Sequence, residues 1–147
     1  CALVENTPGE VLYRLPGWSA SGLQAAGARQ LSIGESILRS AAAVERAFGG
    51  ITANLWDDPF EWTLPEYLST PARILGHLTE VEATRKQAFI SFADDGCLSK
   101  DIAMPSGDAQ QLFDLLLETL LEAAAYQARA AAIKKMLSDN SPPGFII

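Results

Sequence analysis

The stretch QQLFDLLLETLLEAAAYQARAAAIKKML, residues 110–137, decides the fold because it contains neither glycine nor proline. Leucine, alanine, glutamate, lysine and glutamine dominate it, and all are good helix formers. Its apolar residues recur at steps of three and four, which places them on one stripe of a helix. The stripe consists of Leu112, Leu116, Thr119, Ala123, Tyr126, Ala130, Ile133 and Leu137. The spacing therefore predicts a long amphipathic helix, which the Pro142-Pro143-Gly144 segment ends.

A second long helix is predicted to begin at Ser32. Ser32-Ile33-Gly34-Glu35 has the S-x-x-E form of a capping box, in which the hydroxyl and the carboxylate each satisfy a free backbone N–H group. The apolar positions that follow again recur at steps of three and four, to about Leu55. They are Ile37, Ala41, Val44, Phe48, Ile51 and Leu55. This stripe is expected to face a core.

A third helix is predicted to begin after Thr70, which can act as the N-cap, with Pro71 at the first helical position. It is expected to end at about Ala93, and residues 94–105 are expected to form a loop with at most one short turn. The predicted buried face consists of Ile74, Leu78, Val81, Ala88 and Phe92. Arg85 falls within this face, so it is expected to pair with an acidic side chain, Glu122 or Glu45.

Residues 1–31 are too rich in glycine and proline for a long helix and too apolar for a free tail. They are expected to wrap the core as an arm, with a short helix within 21–30. The expected organisation is thus one domain over 1–147, with this arm, a bundle core at 32–138 and an apolar tail at 139–147. The fold class is all-α, an up-and-down helical bundle with three long helices visible.

Composition excludes some classes of function. With 48% apolar and 20% charged residues, the chain has an ordinary globular balance. A net charge of −7 repels phosphate backbones, so nucleic acid is not expected as a partner. No apolar run approaches the ~20 residues that span a bilayer, so no membrane contact is expected. The expected location is cytoplasmic.

The two cysteines, Cys1 and Cys97, form no C-x-x-C motif, which gives no indication of a disulfide framework or a zinc site. Two interpretations of Cys1 remain open. It is either a reduced cytoplasmic thiol or the first residue of a mature lipoprotein, anchored through its side chain.

Candidate chemistry centres on the single histidine, His77, which excludes any mechanism that needs two imidazoles. From its position at the edge of an apolar stripe, it is either a hydrogen-bonded structural residue or a metal ligand. Glu122 and Tyr126 lie four residues apart and share a helix face. Glu122 is a solvated edge charge, a partner for Arg85 or a metal ligand.

Thr70-Pro71-Ala72-Arg73-Ile74-Leu75-Gly76-His77-Leu78-Thr79-Glu80-Val81-Glu82, preceded by Glu61-Trp62-Thr63, resembles the second helix of DinB-like proteins. In that family the helix opens after a Trp-Thr-type segment and carries a histidine ligand before a leucine and an acidic pair. The last helix of the family carries two more histidines four residues apart. Here Glu122 and Tyr126 stand at those two positions.

The resemblance implies a DinB-like four-helix bundle, of which three long helices are visible in this sequence. It also implies a pocket near His77, Glu122 and Tyr126, with the first two as metal ligands and Tyr126 as a proton donor or orienting hydroxyl. It implies a metal-assisted transferase or hydrolase acting on a small molecule. The alternative is a non-catalytic, dimeric ligand-binding or interaction module. One imidazole and one carboxylate fall short of the usual three protein ligands, so less than one equivalent of zinc or nickel is expected.

A homodimer is expected because three amphipathic helices bury their stripes less completely than four. The arm residues Val11 to Trp18 and the tail residues Phe145 to Ile147 would add apolar surface to the interface. The competing account is that arm and tail fold back onto their own bundle, replace the fourth helix and leave a monomer.

Overall fold

The computed structural model describes residues 1–16, 30–59 and 67–139. The described part is mostly helical, as the sequence predicts, with one small antiparallel sheet. In chain order its elements are α1 (Ala2–Glu5), α2 (Gly9–Leu12), α3 (Ile33–Ala53), α4 (Pro71–Ile90), a 3₁₀ turn (Asp95–Ser99), β1 (Asp101–Ala103), β2 (Ala109–Gln111) and α5 (Leu112–Asp139).

Helix α3 is the central helix, since both α4 and α5 pack against it. The predicted capping box is confirmed: the Glu35 N–H donates to Ser32 Oγ at 3.2 Å, and the Ser32 N–H donates to Glu35 Oε2 at 2.8 Å. The helix ends at Asn54, whose φ of 55° is left-handed. Leu55, the last residue of the predicted stripe, therefore lies beyond the helix and is exposed.

The other two long helices also begin close to the predicted positions. Thr70 caps α4 by accepting a hydrogen bond from the Arg73 N–H at 3.3 Å, and Pro71 occupies the first helical position. The buried residues of α4 all belong to its predicted face. In α5 the predicted stripe supplies most of the buried residues, which are Leu112, Leu115, Thr119, Ala123, Ala130 and Ile133.

The region expected to be a loop is more ordered than the sequence predicted. Residues 95–99 form the 3₁₀ turn, and β1 pairs with β2 in a hairpin, with Asp101 opposite Gln111. Gly107, at φ 89°, lies in the hairpin turn. Three-residue strands are too short to show an alternating pattern, and glutamines favour a helix, so only the pairing across the hairpin reveals β2. The fold is thus mostly helical rather than purely α.

The helices do not alternate in direction as an up-and-down bundle requires. Ile33 and Ile74, each in the first turn of its helix, share one core cluster with Ala130 and Ile133 in the second half of α5. Helices α3 and α4 thus run in the same direction, and α5 runs opposite to both.

The described arm, residues 1–16, covers the end of the bundle where α3 and α4 begin. Val4 and Leu12 are fully buried in the cluster there, and the Tyr13 hydroxyl donates to the Leu68 carbonyl at 2.7 Å. Lys134 Nζ donates to the carbonyls of Leu3 and Asn6 at 3.3 and 2.7 Å. We call this region the capped end. Residues 1–16 thus pack against the core of the bundle.

Several expectations concern parts of the chain outside the described residues. The short helix expected within 21–30 falls mostly on 17–29, and the apolar tail falls on 140–147. Over residues 1–16, 30–59 and 67–139 there is no fourth long helix, and no helix there is both long and apolar enough to cross a membrane.

Candidate functional site

A groove of about 490 Å³ lies between α4 and α5, with α3 as its floor. We call it the α4–α5 groove. It exists because both helices pack on α3 while their outer edges stay apart. Its floor is formed by Ser40, Ala41, Val44 and Phe48, one wall by Leu78, Val81, Glu82, Arg85 and Phe89, and the other wall by Leu116, Thr119, Leu120, Ala123 and Gln127.

The middle of the α4–α5 groove is apolar, and one end carries a small polar network. Ser40 is buried, and its hydroxyl donates to the Ala123 carbonyl at 3.0 Å. The same hydroxyl accepts a hydrogen bond from Gln127 Nε2 at 3.1 Å. Gln127 is exposed, so its amide is accessible to a molecule bound in the groove. This end of the groove lies toward the capped end, because Ser40 is the lining residue nearest the start of α3.

Arg85 supplies the charged part of the α4 wall. Its Nε and Nη2 donate to the two carboxylate oxygens of Glu82 at 2.9 and 2.7 Å. Lys86 Nζ also lies 3.3 Å from Glu82 Oε1. Hydrogen bonds from Arg85 and then Lys86 lower the pKa of Glu82. The guanidinium also lies 5.9 Å from the centre of the Phe89 ring, within range of a cation–π interaction.

The prediction that Arg85 has an acidic partner is confirmed, but both named candidates, Glu122 and Glu45, were wrong. The partner is Glu82, three residues earlier on the same helix. Side chains three apart on a helix are neighbours, so this local pair forms without any tertiary contact. Arg85 stays half-exposed at the margin of the apolar face instead of crossing to another helix.

His77 faces α3, where its Nε2 lies 3.5 Å from Glu45 Oε2. Both side chains are largely buried, at 16% and 27% exposure. The distance is long for a hydrogen bond, and within the described part of the chain Glu45 Oε2 has no partner of ordinary hydrogen-bond geometry. The Glu45 carboxylate raises the pKa of His77, through weak hydrogen bonding first and then charge attraction, against the opposing effect of burial.

Glu122 and Tyr126 do lie together, as their spacing predicts, but they face a different part of α3. Arg46 Nη2 donates to Glu122 Oε2 at 2.8 Å, and both side chains are half-exposed. Glu122 and Tyr126 line a cleft of about 20 Å³ with Arg39, Arg46 and Asp58. That volume holds about one water molecule.

The three predicted site residues therefore do not share one pocket. His77 contacts Glu45, and Glu122 pairs with Arg46. None of the three predicted residues, His77, Glu122 or Tyr126, lines the α4–α5 groove. The resemblance implied a pocket near His77 of α4 and near Glu122 and Tyr126 of α5, whereas the groove between these two helices is lined by other residues. Its polar residues, Ser40 and Gln127, were missed, because nothing in their spacing shows that α3 and α5 bring them together.

A larger cleft, about 840 Å³, lies between the end of α3, the second half of α4 and the hairpin. It is wider and more polar than the α4–α5 groove, with Thr52, Thr84, Gln87 and Lys100 along its walls. Ligand sites are usually concave and mostly apolar, with few polar groups. The smaller α4–α5 groove therefore fits a small ligand better.

Residues 1–16, 30–59 and 67–139 contain no group of three or more histidine, cysteine, aspartate or glutamate side chains that could hold a metal ion. His77 with Glu45 is an imidazole–carboxylate pair, one ligand short of a usual zinc site. Cys1 is exposed and Cys97 is buried, and neither forms a disulfide. The described residues do not fit the metal centre that the DinB resemblance implied, since His77 and Glu122 lie in separate contacts with Glu45 and Arg46.

Comparisons with models of protein families, with curated proteins and with solved structures found no match.

Proposed function

We propose that this chain is a divergent DinB-like protein that binds a small amphipathic molecule in the α4–α5 groove, without metal catalysis. The observation that supports this proposal is the groove itself, about 490 Å³ and bounded on three sides by largely apolar helix faces. Its size and composition are those of pockets that enclose small ligands. The metal-assisted alternative lacks a comparable cluster of ligands among the described residues.

The lining indicates the chemistry of the ligand. An apolar body would lie on Val44 and Phe48 and displace water from them, which is the main source of affinity in such a groove. A hydrogen-bonding group at one end would meet the Ser40–Gln127 network. A strongly anionic group has less to gain, because Glu82 already occupies the Arg85 guanidinium. The expected ligand is thus largely apolar, with one neutral polar end.

The test uses Nile red as an apolar fluorescent probe, titrated against the full chain, and two variants that fill the groove from opposite sides. Val44→Trp enlarges a half-buried floor residue and Leu116→Trp a half-buried wall residue. Each is expected to weaken probe binding at least tenfold. Ala72→Trp, on an exposed position of α4 outside the groove, is the matched control and is expected to leave binding unchanged.

Circular dichroism shows whether each tryptophan variant remains folded, and methyl NMR of the wild-type chain locates the probe independently of any variant. Shifts at Val44, Val81 and Leu116 on probe addition support the proposal. Unchanged affinity in both folded filling variants, or methyl shifts confined to other surfaces, would overturn it.

The metal-dependent function has one observation in its favour, the buried Glu45 oxygen that lies beside His77 without an ordinary hydrogen-bond partner in the described part of the chain. Two ligands bind a divalent ion weakly, so protein purified without chelator is expected to hold less than one equivalent of zinc or nickel. Elemental analysis measures this. Stoichiometric metal that is lost in His77→Ala would instead favour the metal-assisted transferase or hydrolase, with Glu122 as a second ligand and Tyr126 as a proton donor.

A further inference from the structure

The outer face of α5 is more apolar than a solvent-facing helix surface needs to be. Phe113, Leu117, Leu120 and Leu121 are 43–65% exposed. Exposed alanines continue the same face toward the end of the helix, at Ala124, Ala128 and Ala131. We call these seven residues the outer stripe of α5. They lie roughly opposite the stripe that packs on α3, except that Leu120 stands at the edge shared with the wall of the α4–α5 groove. Helix α5 thus has two apolar faces, and only one is covered by the described residues.

The spacing of the outer stripe is that of a helix that packs against another helix. Phe113, Leu117, Leu120, Ala124, Ala128 and Ala131 recur at steps of three or four. Four large apolar side chains at this exposure form a patch on the order of a few hundred Å², the size at which an exposed patch usually marks an interface. A partner helix with a similar apolar stripe is therefore the natural occupant.

The charges beside the stripe indicate which helix this is. Asp114 lies in the first half of α5 and Lys135 in the second half, and both are exposed. A second α5 in parallel orientation would set like charges side by side. A second α5 in antiparallel orientation would set the acidic half of each helix beside the basic half of the other.

Side-chain size shows the same complementarity. The first half of the stripe carries large residues, and the second half carries only alanines. A two-fold axis near Ala124 would place Leu120 opposite Ala128 of the second copy and Leu117 opposite Ala131. Asp114 would then lie near Lys135. Large residues against small ones let two helices approach closely along their whole contact.

We propose that two copies of this chain form a two-fold dimer through the outer stripes of their α5 helices, packed antiparallel and centred near Ala124. A C₂ interface uses the same patch on both subunits, as this arrangement does. Val11 and Leu12 are not part of it, because they pack in the capped end of their own bundle. A single helix pair is a small interface, so the dimer should form at micromolar concentration and dissociate on dilution.

Analytical ultracentrifugation over a concentration series of the full chain tests the dimer. The mass is expected to rise from 15.8 kDa toward about twice that value. Leu117→Glu and Leu121→Glu should each weaken the dimer at least tenfold. Ile90→Glu, at an even more exposed apolar residue of α4 outside the stripe, is the matched control and should leave the mass profile unchanged.

A charge swap tests the orientation. Asp114→Lys and Lys135→Asp should each weaken the dimer, and the double variant should restore it, because the opposite charges are then exchanged between the two copies. A chain that stays monomeric at 100 µM, or equal weakening by Ile90→Glu and Leu121→Glu, overturns the interface. A double variant no better than either single variant overturns the antiparallel arrangement.

Cysteine cross-linking places the axis. In a Cys1→Ser background, Ala124→Cys should form an intermolecular disulfide under mild oxidation, because the two-fold axis brings residue 124 of both copies together. Ala131→Cys should not, since its two copies would lie roughly 20 Å apart along antiparallel helices. Cross-linking of both variants would indicate parallel helices, and cross-linking of neither would exclude contact through this stripe. All these variants lie outside the Val44 and Leu116 positions that test the groove, so either proposal can fail without the other.

Discussion

The capped end and the α4–α5 groove are built from the same three helices, yet they differ in how well their apolar faces are covered. At the capped end, Ile33, Ile74 and Ala130 are fully buried under residues of α1 and α2. Farther along the helices, Phe89 and Leu120 remain 43% and 65% exposed on the walls of the groove. The difference lies in residues 1–16 of the arm, which pack over the capped end.

Three amphipathic helices leave a slot between their outer edges, and the slot becomes core only where another group fills it. The arm fills the slot at the capped end and turns it into core. No described residue fills the slot between Val81 and Leu116, so it remains a concave apolar surface. Stability is therefore expected to depend mainly on the capped end, and binding on the groove.

The largest difference in stability between the two regions is expected when one leucine in each is replaced by alanine. Leu12→Ala removes a fully buried side chain from the capped end and should lower the free energy of unfolding by about 2–5 kcal/mol. Leu116→Ala removes a half-buried side chain from a groove wall and should cost less than about 1.5 kcal/mol. Urea unfolding measures both. Equal losses of unfolding free energy would show that the two regions contribute equally to stability, which would contradict the expected difference.

A pair of glycines tests the contact between arm and helix. A Cβ at Gly34 would lie 2.7 Å from the Tyr13 ring, so Gly34→Ala should displace the arm and cost about 1–3 kcal/mol. At Gly76, in α4, a Cβ would meet nothing within 4 Å, so Gly76→Ala should stabilise the helix by about 0.5–1 kcal/mol. Thermal unfolding should move in opposite directions for the two variants. A shift of the same sign in both would contradict the packing of Tyr13 on α3.

A smaller effect, with a defined pH dependence, is expected at the His77–Glu45 pair. Because the pKa of His77 is raised above its usual 6.5 in the folded chain, protonated His77 stabilises the fold. This contribution is complete below pH 6.5 and is lost as the pH rises through the folded-state pKa. Glu45→Gln should therefore destabilise the chain more at pH 5.5 than at pH 9, by less than about 1 kcal/mol.

Urea unfolding at both pH values, together with NMR titration of the His77 ring, checks this expectation. The His77→Gln variant is the control, and in that background Glu45→Gln should have no pH-dependent effect. A His77 pKa at or below 6.5 in the wild-type chain would contradict the sign of the interaction.

The smallest effect is expected from Arg85→Ala, because its partner Glu82 is a half-exposed neighbour on the same helix. The midpoint of urea unfolding should change less than in any variant above. The same variant should leave Nile red affinity within about twofold, since the guanidinium is already paired. A large loss of stability would mean that Arg85 supports the groove wall itself.

Much of the helical framework could be predicted from residues close together in the chain. The capping box at Ser32 and the Thr70-Pro71 pair marked two helix starts, and the periodicity of α5 marked its buried stripe. The hairpin was missed because β2 is held by β1 rather than by its own propensity. The predicted partners of Arg85, Glu122 and Glu45, were wrong because Arg85 pairs with Glu82 on its own helix instead of crossing to another helix.

The sequence by itself determined the local features, since helix caps, breakers and apolar periodicity act over one or two helical turns. Only the tertiary structure decided that α3 and α4 run in the same direction, that His77 contacts Glu45, and that Arg46 pairs with Glu122. It also decided that Ser40 and Gln127 meet across a groove. Such contacts depend on the relative position and rotation of whole helices, and the period of a stripe gives only the face that is buried, not the helix that covers it.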